Sequence, residues 1–419
     1  MERVEVMAPA GSWEALHAAV NAGADSVYFG LGALNMRTHS GHNFTLDDLP
    51  AIVQLCQDKG VRSYVTLNAI IYDEDMQWMK EACLSIKESG ATAVIACDIA
   101  VIQVARSLGL NVHISTQLNV SNLEGVRFFS QFSDVIVLAR ELSLEQIRAI
   151  CEGIVREGIC GPGGKLVKIE IFVHGALCVS ISGKCYMSLA QYNKSANRGG
   201  CLQVCRRRYR VIDEETNQEL VLDNKYVMSP KDLCTVGFLD RLVAAGVGVF
   251  KIEGRGRSPE YVHTVTSVYR EALDSVYEGT YTSERIAAWT ARLETVYNRG
   301  FWHGGYYLGH QLGEWSGTHG SLATTRKRYV GTVTNFFSKI QVVECKIESD
   351  ALQVGDSILI MGATTGVVDG KVASLSEDGS ILRAEKGAII SFPTSSKVRR
   401  GDKVYVVDLL QKGLVEANR

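Results

Sequence analysis

Gly23-Ala24-Asp25-Ser26-Val27-Tyr28-Phe29-Gly30 reads as a helix-ending glycine followed by a short strand, and Gly246-Val247-Gly248-Val249-Phe250-Lys251-Ile252-Glu253 repeats that reading far downstream. Glycine suits the left-handed position that closes a helix, and a short, continuous apolar run suits a strand covered on both faces. Working outward, the runs Val4–Met7, Ser26–Gly30, Arg62–Asn68, Ala93–Asp98, Val112–Ser115, Asp134–Leu138, Lys168–Val173 and Gly248–Glu253 have the same character. Helix-period patterns separate them at Trp13–Ala22, Leu46–Asp58, Met76–Ser89, Ile99–Leu108, Leu123–Gln131, Leu144–Glu152 and Lys231–Ala245, and a long one, Pro259–Tyr277, follows the last. Eight βα units are the number a closed barrel needs. An open doubly wound sheet, the competing architecture, rarely reaches that number without a glycine-rich nucleotide loop. The expected fold class is α/β: a (β/α)₈ TIM-like barrel over residues 1–280.

Two stretches break the alternation. Residues 174–230, after the seventh strand, are rich in Cys, Gly, Asn and Arg and belong on the C-terminal face, where such barrels keep their chemistry. Residues 281–325 form a linker or extension carrying Y-N-R-G-F-W-H-G-G-Y-Y. From 326 to 419 the pattern changes to short strands and turns (Tyr329–Asn335, Ile340–Ile347, Asp356–Met361, Gly366–Ser374, Ala388–Phe392 and Lys403–Val407), which predicts a small antiparallel β-barrel domain.

Composition narrows the function classes. With 419 residues, 46% hydrophobic and 21% charged, the chain has ample material for a large core. A formal net charge of −2 excludes a generally basic nucleic-acid binder, so any RNA surface has to be local. Candidates are Arg206–Arg207–Arg208 with Tyr209 and Arg210, Arg326–Lys327–Arg328 with Tyr329, and Arg399–Arg400. The absence of a signal-peptide pattern and of a membrane-length apolar run predicts a cytoplasmic protein without a membrane partner. Eleven cysteines, an odd number, argue against a secreted disulfide scaffold.

Cys178, Cys185, Cys201, Cys205 and Cys234 crowd one segment, and the other six are scattered. Thiolates are soft ligands, and four of them close a site for zinc or an iron–sulfur cluster. Structural zinc usually shows two C-x₂₋₄-C knuckles; only Cys201–Cys205 is such a pair, which leans towards a cluster. Free cysteines are also commonly buried as small hydrophobes, the competing reading.

Glu170 to Cys185, E-I-F-V-H-G-A-L-C-V-S-I-S-G-K-C, closely resembles the signature of the collagenase-like peptidases of unknown catalytic type. A-P-A-G at Ala8–Gly11, A-D-S-V-Y-F-G, Y-V-T-L-N, S-T-Q-L-N, L-A-R-E-L-S, S-P-K-D-L-C and K-I-E-G-R-G-R-S-P-E-Y-V resemble further blocks of that family, in order, and R-K-R-Y-V-G-T-V resembles the start of its C-terminal domain. Ile181 departs from the signature's usual aromatic residue. The resemblance implies an oxygen-independent hydroxylase with a [4Fe–4S] cluster on Cys178, Cys185, Cys201 and Cys234, with Cys205 as the alternate to Cys201. It further implies prephenate, a small dicarboxylate, as hydroxyl donor and co-substrate. Chain length is most like the members that form 5-hydroxyuridine at the tRNA wobble position. Other members modify ribosomal RNA or a quinone precursor, and some work with a homologous partner subunit.

Asn68, Asp98, Gln117, Arg140, Glu141, His174, Glu253 and Arg255 fall at or just beyond strand ends, on the face expected for the cluster. Arginine forks match carboxylates, so Arg140 and Arg255, with Asn68 and Gln117, are the expected co-substrate contacts. Glu253, Glu141 and His174 are the expected proton-transfer groups. Two other readings compete: a collagenase-like peptidase, although no H-E-x-x-H or G-x-S-x-G motif occurs, and a non-catalytic RNA-binding protein.

Overall fold

The computed structural model describes residues 3–38, 43–210, 212–218, 228–303, 305–309, 315–318 and 320–410. Strands β1 (Glu5–Pro9), β2 (Ser26–Gly30), β3 (Arg62–Leu67), β4 (Ala93–Ala96), β5 (Val112–Ile114), β6 (Val135–Val137) and β7 (Lys168–Gly175) pair in sequence order and in parallel. After β8 (Asp232–Cys234), strand β9 (Val249–Ile252) closes the ring: Val249 pairs with Glu5 on β1 and with Glu170 on β7. All eight expected runs are thus barrel strands. Their side chains are almost wholly buried, because helices cover the outside and neighbouring strands fill the inside.

The barrel interior is not purely apolar. Lys251 Nζ lies 2.7 Å from Glu170 Oε1, and the Tyr64 hydroxyl donates to Glu5 Oε1 at 2.8 Å. Burying these charges is tolerable because each has a close partner.

The expected helix over Lys231–Ala245 needs correction. Its first part is β8, and the helix proper is Leu239–Ala244. The end of β7 runs past the barrel and pairs antiparallel with β8 (His174↔Cys234), while β10 (Phe301–His303) lies parallel on the other side. Asp232 is buried, 3.3 Å from Arg299, so a tertiary partner decides the local conformation over helix propensity.

The segment 281–325 therefore does more than link. Its helix Ser283–Thr295 and β10 send Trp289, Leu293, Phe301 and Trp302 into the barrel's own hydrophobic core. The C-terminal region is antiparallel, in the order Gly366–Lys371, Ser357–Gly362, Lys403–Leu409, Thr325–Phe337, Val342–Ile347, Ile389–Pro393, Leu375–Ser376, Ser380–Ile381, wrapped on its own core. It rests on the barrel's outer helices Trp13–Asn21 and Pro259–Glu278. At the contact, Gly366 (φ +72°) abuts backbone: a Cβ there would lie 2.8 Å from the Ala18 nitrogen. No described helix is long and apolar enough to cross a membrane.

Candidate functional site

A cavity of about 210 Å³ opens at the C-terminal ends of the strands, roofed by the cysteine-rich insertion. Each wall comes from a strand end or the loop after it, the positions a parallel barrel aims at one point. Asn68 follows β3, Gln117 follows β5, Arg140 follows β6, and Glu253 and Arg255 follow β9; all five line the cavity, as expected. The β9 loop can approach because Gly11 has no side chain: a Cβ there would fall 1.9 Å from the Arg255 carbonyl oxygen.

Asn68 and Gln117 brace one another. Asn68 Nδ2 donates to Gln117 Oε1 at 2.9 Å, and Gln117 Nε2 returns a bond to the Asn68 carbonyl. Arg140 spans the mouth, donating to Ser182 Oγ at 2.8 Å and to the Ala176 carbonyl at 3.3 Å, with its guanidinium 5.2 Å from the Phe172 ring centroid. These direct partners are neutral, and the carboxylate that answers Arg140 is Glu253, which it shares with Arg37 and Arg257. Arg255, buried, donates to Thr66 Oγ1 at 2.6 Å and Asn35 Oδ1 at 3.1 Å; burial pulls it down to about 10.

Glu253 has a different role from the one expected. Burial works against its charge, but Arg37 and Arg257, with Arg140 beyond them, outweigh that and hold it at about 2. Its Oε1 is 2.6 Å from Arg37 Nη2. A carboxylate this acidic is a poor proton acceptor near neutral pH and serves instead as the counter-charge of an arginine cluster. Glu141 is exposed and off the cavity, on the turn after β6 that carries Arg140 into it. His174 is also outside: buried, caged by Tyr261, Tyr269 and Phe301, with Nδ1 3.3 Å from the Tyr269 hydroxyl. Burial, then Arg257, depress it to about 3, so it is a neutral structural ring. Asp98 caps the helix Ile99–Ser107, accepting from Ala100 N at 2.8 Å.

The cysteines divide in the same way. Cys178, Cys185 and Cys201 line the cavity, and the fourth is Cys205, in place of Cys234. Cys234 sits in β8, fully buried and held up to about 12 mainly by that burial. Cys205 is raised to about 11, first by burial, while Arg206 opposes this and the charges of Cys178, Cys201 and Cys185 add to it, as four thiols sharing one space would. All four are free of disulfides. Among the described residues no three acidic, Cys or His groups converge closely enough for a single metal ion. Thiolates are the soft ligands that iron–sulfur clusters take, one to each iron, so four thiols lining one cavity are a donor set that fits a cluster.

Sequence reasoning missed Arg37 and Arg257. Arg257 lies two residues beyond Arg255, in the same block, and stacks 3.7 Å above the Tyr297 ring of the extension. Arg37 stands in the loop after β2, with no motif to mark it. Among the described residues, the cavity's ionic lining is then Arg37, Arg140, Arg206, Lys251, Arg255 and Arg257 against Glu253: six cations, one carboxylate, a difference of five. Glu170 offsets Lys251 from below. The result is a site built for anions.

The sequence profile of peptidase family U32 matches residues 11–317. A protein called collagenase from Porphyromonas gingivalis is 52% identical over 96% of this chain and 98% of its own length. The tRNA hydroxylation protein P1 of Bacillus subtilis is 29% identical over 98% and 95%, respectively. The 23S rRNA 5-hydroxycytidine C2501 synthase of Escherichia coli is 36% identical over 66% of this chain and 40% of its own length.

Proposed function

The chain belongs to peptidase family U32, and from that premise we propose that it is an iron–sulfur-dependent, oxygen-independent RNA hydroxylase, acting on the tRNA wobble uridine with prephenate as hydroxyl donor. The observation that carries this reading is the meeting of four unpaired cysteines and six cationic side chains around one cavity at the barrel mouth. Cys178, Cys185, Cys201 and Cys205 would hold the cluster. Such a cluster supplies electron transfer or a Lewis-acidic iron. Arg140 and Arg255 would bind the co-substrate's carboxylates, with Lys251 beneath them, where charge-assisted hydrogen bonds are strongest. Glu253 keeps Arg37 and Arg257 aligned.

The name of the Porphyromonas relative suggests peptide hydrolysis, but among the described residues no histidine lines the cavity, and His174 is walled off from it. Relatives named for tRNA and rRNA modification favour RNA. The test is mass spectrometry of tRNA nucleosides from a deletion strain complemented with wild type or Cys205→Ala. Wild type alone should restore 5-hydroxyuridine derivatives. Their unchanged presence in the uncomplemented deletion strain would remove the tRNA assignment.

A further inference from the structure

Beside the cavity lies a second concavity that the chemistry above does not use. It measures about 440 Å³ and is lined by Tyr72, Asp75, Asn193, Lys194, Ser195 and Arg198, among others. One strap of chain, Ser195–Cys201, separates the two spaces. Ala196 and Cys201 face the cavity, whereas Ser195, Arg198 and Gly200 face the groove. The strap is fastened to the barrel rim: Ile70 N donates to the Asn197 carbonyl at 3.0 Å, and Arg198 Nη1 reaches Asp75 Oδ2 at 2.6 Å.

The groove's chemistry suits a nucleotide. The Arg198 guanidinium lies 3.8 Å from the Tyr72 ring centroid, a flat cationic–aromatic pair, and Tyr72 remains 50% exposed. Guanidinium planes and tyrosine rings are the surfaces on which unpaired bases stack. Asp75, the groove's carboxylate, is neutralised by Arg198 and held below its ordinary range chiefly by that hydrogen bond. Lys194 is exposed at the edge. The first part of the surrounding insertion is positive: from His174 to Arg210 there is no Asp or Glu, while Lys184, Lys194, Arg198, Arg206, Arg207, Arg208 and Arg210 all fall within it, and the insertion's acids, Asp213, Glu214, Glu215, Glu219 and Asp223, come later in the chain. That charge complements a polyanion in a chain whose net charge is negative.

We propose that the groove is a specificity subsite for the nucleotide flanking the one modified, in unpaired RNA, its base stacking on the Tyr72–Arg198 pair while its neighbour enters the cavity across the strap. The proposal rests on the RNA reading above and adds a determinant of sequence context to it. A single strap between the two spaces matches the demand that adjacent nucleotides of one strand occupy both.

The test is a two-by-two cycle of binding by the full-length protein, read by fluorescence anisotropy. The probes are an anticodon stem–loop RNA with uridine at the wobble position and the same RNA carrying an abasic site on one or other side of that uridine. Tyr72→Ala should weaken binding of the intact loop about tenfold, as loss of one base stack does, and Tyr72→Phe should restore it. An abasic flank on one side should cost wild type about the same, yet cost Tyr72→Ala almost nothing, since the two changes remove one contact. Independent, additive losses on both flanks, or Tyr72→Ala binding like wild type, would overturn the subsite while leaving the hydroxylase reading intact. Failure of wild type to bind any stem–loop would overturn both.

Discussion

The insertion over the barrel and the C-terminal sheet each carry a basic run ending in tyrosine, Arg206–Arg207–Arg208–Tyr209 and Arg326–Lys327–Arg328–Tyr329, and the fold gives them opposite fates. In the sheet, acids answer the cations: Lys327 reaches Glu260 at 2.7 Å, while Arg328 reaches Asp350 at 2.8 Å and Asp408 at 3.2 Å. In the insertion, Arg206 turns inward onto Ser229 Oγ and the Pro230 carbonyl, neutral partners that leave its charge facing the cavity, and Arg207 stacks on Tyr192 at 5.1 Å. A run of arginines therefore says little by itself. What matters is whether carboxylates lie within reach, and the insertion's own sequence contains none up to Arg210.

The largest expected contrast concerns the cysteines. Cys205→Ala should abolish the roughly four irons per chain expected of an anaerobically purified cubane protein, and with them 5-hydroxyuridine formation. Cys234→Ala and Cys345→Ala should keep both; iron analysis and nucleoside mass spectrometry decide. Iron lost from Cys234→Ala but retained in Cys205→Ala would break the assignment. Next, Arg140→Ala should raise the co-substrate KM by about 10- to 100-fold, the worth of hydrogen bonds to a charged group, with Arg328→Ala within about twofold of wild type because exposed pairs contribute little.

Stability should separate the regions too. Glu170→Ala strands Lys251 inside the barrel and should cost about 3–5 kcal/mol in urea unfolding, whereas Asp350→Ala on the sheet surface should leave the urea midpoint nearly unchanged. For RNA, Arg207→Ala should reduce the slope of log affinity against log salt by about 0.7, while Arg326→Ala leaves it unchanged. The last contrast is in pH. The pKa of His174 is about 3 in the folded chain, below its ordinary value near 6.5, so on acidification the unfolded chain takes up its proton first. Its contribution is full above about pH 6.5 and is lost progressively down to about 3, and His174→Phe should flatten the fall in urea midpoint across that window. The C-terminal region contains no histidine from 326 onward, so its own acid dependence comes from carboxylates such as Glu348 and Asp350 and begins at lower pH.

The barrel was legible because apolar runs buried on both faces are written in the chain itself. Strand β8 was not, since only Arg299 and the neighbouring strands make Asp232 a strand residue. The same distinction governs the site. Positions after strand ends placed Asn68, Gln117, Arg140, Glu253 and Arg255 correctly, because barrel geometry aims them. Glu141 lies off the cavity because the turn after β6 leaves it on the surface, and His174 because β7 overshoots the ring there. Cys205 was read only as the alternate to Cys201; that both line the cavity while Cys234 does not depends on how a loop folds back over the mouth, which spacing along the chain does not encode. Glu253 was found but misjudged, since its acidity comes from Arg37 and Arg257, arriving from elsewhere.

The seat of the C-terminal sheet on the barrel has a consequence of its own. Where Gly366 meets the backbone of His17 and Ala18, two main chains touch with only hydrogen between them. A methyl group at that point would act as a wedge under a lever, displacing the outer strands more than the contact itself. The angle between the two halves of the protein is thus fixed by the smallest side chain available.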